Sequence, residues 1–173
     1  MKGLRFVFFV LTALQLPGAL LAAGQQLKIT LTGGGLVQPI AITDPERMAK
    51  FSIGGGHGNG CWPETSPSCQ AVLERSYSRS FIVDWSRGTI SAPTGNLVNY
   101  EVEFLVERPD PNIYRVTYSY DPVKQEGFVY IPGRDDPRYA GNTWLILRGV
   151  EGSWYHAWGD WDAVVTALLK NAR

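Results

Sequence analysis

Three stretches of the sequence concentrate side chains that can do chemistry. The first is Trp154, Tyr155, His156, Trp158, Asp160, Trp161 and Asp162, with three tryptophans in eight residues. Exposed indoles stack on the apolar faces of ligands such as sugars, while buried ones seal a helix against a sheet, and at least one of the three is expected in the core. His156 with Asp160 or Asp162 has the parts of a base and its orienting carboxylate. One histidine and two carboxylates fall short of a metal-ligand set, and both aspartates stand where a helix start is capped.

The second stretch is Gly54-Gly55-Gly56-His57-Gly58-Asn59-Gly60. It lacks the Gly-Lys-Ser/Thr ending of a Walker loop and the βαβ setting of a dinucleotide loop. In a functional reading His57 is a general base or ligand reached through the glycines, with Asp84 as its orienting partner. The plainer reading is a solvated histidine on a flexible loop. The third stretch runs from Tyr100 to Tyr130 and holds Tyr100, Tyr114, Tyr118, Tyr120, Phe128 and Tyr130, including five of the chain's eight tyrosines. Tyrosine pairs an apolar body with a hydroxyl that needs a partner when buried, which suits a wet cavity as well as a core. The candidate ligand-binding residues are therefore Tyr118, Tyr120, Tyr130, Trp154, Trp158, His57 and His156, with Tyr118 and Tyr120 expected to line one cavity or groove.

Other arrangements are weaker. Glu101 and Glu103 at i and i+2 resemble a glycosidase pair but read as charges on a strand's solvent face. Arg134 to Arg138 lacks the alternating oxygen ligands of a calcium loop. No Gly-x-Ser-x-Gly elbow and no His-Glu-x-x-His pair occurs. No catalytic residue, metal site or cofactor is assigned.

The elements that must position these groups are mainly strands. Leu27, Ile29 and Leu31 alternate with polar residues, and after Gly33-Gly34-Gly35 the run Leu36 to Ile42 with Pro39 predicts a second strand at a sheet edge. Asp44-Pro45 opens a short helix over Arg47 to Phe51. Phe81 to Trp85 reads as a strand, followed by a turn-rich linker to Asn96. Tyr100, Val102, Phe104 and Val106 alternate with mostly polar neighbours, as do Tyr114, Val116, Tyr118 and Tyr120. Folding at Asp110 sets Val106 opposite Tyr114, Phe104 opposite Val116, Val102 opposite Tyr118 and Tyr100 opposite Tyr120. Folding again at Lys124 sets Tyr118 opposite Tyr130 and Tyr120 opposite Phe128, a three-strand meander with one aromatic face. Asn142 to Arg148 and Ser153 to Ala157 read as two further strands. Trp161, Val164, Val165, Leu168 and Leu169 recur with helical spacing, capped by Asp160 or Asp162. The fold class is α+β, mainly antiparallel β: a meander within a sandwich, half-barrel or helix-on-sheet, with a short early helix and a C-terminal amphipathic helix.

The chain opens with Lys2 and Arg5, an uncharged run from Phe6 to Leu16, then Pro17-Gly18 and small residues at Ala22, Ala23 and Gly24. This reads as a secretory signal peptide over residues 1–24, too short to span a bilayer, and places the protein in a secreted or periplasmic, extracytoplasmic setting without a stable membrane anchor after cleavage. Removing 24 of the 173 residues leaves 149, one β-rich domain over residues 25–173. It also takes two of the 16 basic residues, leaving 14 against 16 acidic ones. With no basic patch, nucleic acid is excluded as a partner. Outside the cytoplasm the two cysteines, Cys61 and Cys69, are expected to form a disulfide, whose short loop contributes about 2.5 kcal/mol.

These observations favour an exported binding or interaction module with a Tyr/Trp ligand face, whose partner is a glycan, a small amphiphile or a protein. The alternatives are a secreted hydrolase using His57 or His156 with a nearby aspartate, and a structural subunit of an extracytoplasmic assembly.

Overall fold

The computed structural model describes residues 26–51, 81–107, 112–142 and 150–172. The expected signal peptide, the His57 segment and the Cys61–Cys69 bridge lie outside the described residues. Seven strands form one open antiparallel sheet: β1 (Gln26–Gly33), β2 (Ile40–Ile42), β3 (Thr89–Ile90), β4 (Val98–Val106), β5 (Asn112–Asp121), β6 (Glu126–Ile131) and β7 (Ser153–His156). Their spatial order is β2-β1-β4-β5-β6-β7-β3. Helix α1 (Pro45–Lys50) follows β2, a four-residue helix α2 (Tyr139–Asn142) follows β6, and α3 (Gly159–Asn171) ends the chain. Of the three packings left open by the sequence, helix on sheet is the one adopted. β2 stands at an edge, as Pro39 implied.

Alternation decides what each face of the sheet carries. On the inner face Ile29, Leu31, Val102, Phe104, Tyr114, Val116, Tyr118, Val129 and Ile131 are buried. Trp161 and Val165 of α3 lie over them, with Phe51 from the end of α1. The Trp161 ring meets Phe51 at 5.1 Å and Tyr118 at 6.0 Å, both edge-on. Helix α1 starts as read, with the Asp44 carboxylate accepting from the Arg47 amide and Pro45 in the first turn.

Several expectations require correction. Phe81 to Trp85 is no strand: Val83 makes a single bridge to Ala157, and Trp85–Arg87 forms a 3-10 turn capped by Asp84. The linker beyond it contains the two-residue β3. Leu27 is 39% exposed rather than inward, because the β1–β4 register shifts between Gln26 and Lys28 and leaves it outside the pairing. Asn142 ends α2, and the remainder of the strand expected there lies outside the described residues.

The two hairpins differ from the expected registers in different ways. In the β4–β5 pair Phe104 opposes Tyr114, Val102 opposes Val116 and Tyr100 opposes Tyr118. That is a slip of two residues, which leaves every side chain on its face. In the β5–β6 pair Tyr118 opposes Val129 and Ser119 opposes Phe128. That is a slip of one, and it turns Phe128 and Tyr130 to the outer face. The cause is the turn. Asp121 and Glu126 pair across Pro122 to Gln125, an even loop pinned by the Asp121 carboxylate accepting from the Val123 and Lys124 amides. A fold centred on Lys124 needs an odd one.

Candidate functional site

The outer face grades from charged to aromatic across neighbouring strands. One row of register partners runs Glu101, Thr117, Tyr130, Trp154 and Ile90, and the next runs Asn99, Ser119, Phe128 and His156. On β4 and β5 the Arg115 Nε donates to Glu103 Oε1 at 2.7 Å. Arg138, from the segment before α2, donates to Thr117 Oγ1 at 2.8 Å and to both oxygens of Asp136. Those bonds hold the Asp136 carboxyl below the usual range and raise the Arg138 guanidinium further. Asn142 clamps α2 to β5 by accepting from the Arg115 amide and donating to its carbonyl.

On β6 and β7 the rings take over. Tyr130 and Trp154, both partly exposed, lie directly cross-strand with centroids 5.2 Å apart and planes 37° from parallel. In the next row Phe128 is buried and contacts the His156 ring at 5.4 Å. His156 Nδ1 lies 2.9 Å from Glu126 Oε1, the same oxygen to which Arg87 Nη1 donates at 3.0 Å. The carboxylate beside His156 is thus Glu126, not the aspartates of the following helix. The imidazole is sealed from solvent at Nδ1 but makes no aligned hydrogen bond there.

The remaining candidates are dispersed. Tyr118 is fully buried, its hydroxyl donates to Asp162 Oδ1 at 2.7 Å, and it is not among the described residues lining a cavity beside it. Tyr120 does border one, an open cavity of about 250 Å³ between the β4–β5 corner and the last turns of α3. Trp158 stands at the start of α3 with its ring edge-on to Phe51 at 6.0 Å and the Lys50 ammonium 5.4 Å from its centre. His57 lies outside the described residues. Its suggested partner Asp84 is engaged locally, accepting from the Ser86 amide and hydroxyl.

Neither aspartate caps α3 as expected, since Trp158 occupies the cap position without a side-chain bond. Asp160 pairs with Lys50 at 2.7 Å, tying α3 to α1 at the surface. Asp162 turns inward and accepts from Tyr118 and, through Oδ2, from the Gly127 amide at 3.0 Å. Gly127 must be glycine for this approach, because a Cβ there would stand 2.2 Å from Asp162 Oδ1. Burial raises the Asp162 carboxyl to about 6 against the opposing pull of those two bonds, and it also raises the Tyr118 phenol, with the Asp162 charge adding to it.

Among the described residues no cluster of three or more His, Cys, Asp or Glu could hold a metal ion, and no helix is long and apolar enough to cross a membrane. The chain matches no known family model, no curated protein and no solved structure.

Proposed function

We propose that this chain is an exported binding module whose contact face is the outer surface of β6 and β7, and that its ligand class is a glycan. The observation that carries this reading is the Tyr130–Trp154 pair, two partly exposed rings set side by side on an open sheet face. A pyranose offers an apolar C–H face to such rings and hydroxyls to its surroundings. Thr117 and the ion-paired Glu101, Arg115 and Arg138 provide donors and acceptors in the adjoining columns. The charges there are already compensated, which suits a neutral ligand better than an ionic one.

Calorimetric titration with cello-, malto- and chito-tetraose tests this. At least one should bind saturably, and Trp154→Ala should weaken it by about tenfold or more, the size of one aromatic anchor. Absence of binding to all three, or binding indifferent to Trp154→Ala, would sink the proposal. The Glu126–His156 contact favours a second reading, a hydrolase with His156 as base and Glu126 beside it. New reducing ends appearing during the titration, and disappearing in His156→Ala, are its signature.

A further inference from the structure

We propose that the cavity at the C-terminal end of α3 is a second binding site, for a small organic anion with an apolar body. It opens on the helix side of the sheet, away from the Tyr130–Trp154 pair, and stands independently of the glycan reading. Val98 and Tyr120 are register partners at the end of β4 and β5, with Tyr100 one row further in. Thr166, Leu169 and Lys170 recur at i, i+3 and i+4 and so line the facing side of the helix. Gln125 closes the rim from the β5–β6 turn, where its backbone is held at φ 55°, a conformation uncommon for a residue with a side chain.

The volume of about 250 Å³ corresponds to roughly eight waters. Val98, Tyr100 and Leu169 supply apolar walls. Among the described lining residues the one charged side chain, Lys170, is positive, and it stands with the Tyr120 and Thr166 hydroxyls and the Gln125 amide. Thr166 Oγ1 donates to the Tyr120 hydroxyl at 3.3 Å, so the phenolic proton is not used in that bond. Stacking on Tyr118 at 6.2 Å keeps that ring in place. Among the described residues, exposed Lys170 has no ion-pair partner and no acidic side chain lines the cavity. A hydroxyl and an exposed ammonium beside apolar walls suit a carboxylate or similar anion carrying a hydrocarbon body. The negative end of the α3 dipole opposes an anion here, so the attraction must come from Lys170.

The test uses the intact chain and three probes sharing one apolar body: hexanoate, 1-hexanol and hexylammonium. In amide NMR spectra hexanoate, raised to about 10 mM, should shift Tyr120, Thr166, Leu169 and Lys170 saturably while leaving the Trp154 indole signal unmoved. Hexanol and hexylammonium should bind more weakly. Lys170→Gln, an exposed change that leaves the remaining spectrum intact, should weaken hexanoate by roughly fivefold, and Lys170→Arg should not. Equal binding of hexylammonium and hexanoate, indifference to Lys170→Gln, or no saturable shift would overturn the proposal.

Discussion

The Asp162 carboxylate receives a phenolic hydroxyl and a backbone amide, yet burial outweighs both and its titration moves to about pH 6. An unfolded aspartate releases its proton near 3.8, so between these two values the folded chain holds a proton that the unfolded chain has lost. Stability from this group is therefore greatest below pH 3.8, declines as pH rises toward 6 and is level above. The decline is at most about 3 kcal/mol. In Asp162→Asn the amide can still serve both partners if the Tyr118 hydroxyl turns to accept, and nothing titrates. Urea unfolding of the two proteins between pH 4 and 7 should show the extra decline only in the parent, and parallel curves would refute the assignment. Asp136 titrates in the opposite sense, but it is common to both proteins and cancels. The sequence suggested a capping aspartate here because residue type and position suffice for a cap. They do not show that the helix start faces Gly127, where the missing Cβ leaves room for the approach.

At the scale of elements, α3 is held to the sheet by Trp161, fully buried between Phe51 and Tyr118. Its indole N–H has no acceptor among the described residues, so within them the residue contributes through packing. Trp161→Ala should cost about 3–5 kcal/mol in chemical unfolding, and Trp161→Phe distinctly less, since it discards an N–H that bonds nothing. Equal costs would show that the indole nitrogen matters after all. The helix was legible because its apolar residues recur with a period of 3.6 over three turns. The β5–β6 register was not. Phe128, Val129, Tyr130 and Ile131 are all apolar, so the segment carries no alternation to say which pair faces inward. Turn chemistry at Asp121 decided it and carried Tyr130 to the face where it meets Trp154.

The described residues form one sheet with α3 and the end of α1 packed on one face and a charged-to-aromatic surface on the other. β4 and β5 lie in its interior, while β2 and β3, of three and two residues, form the edges. Amides of β4 and β5 should exchange with solvent last and those of β2 and β3 first; protection of β2 equal to β5 would contradict this order. The sequence by itself determined the local elements: alternating strands, the Asp44-Pro45 helix start and the amphipathic C-terminal helix. Each depends on residues within a turn or a strand of one another. Only the tertiary structure decided the strand order, the face each aromatic occupies and the partners of Asp162, which lie 35 and 44 residues away along the chain. Hydrophobic period is unchanged by a slip of two and silent in an all-apolar run. Only turn geometry and long-range packing separate those arrangements.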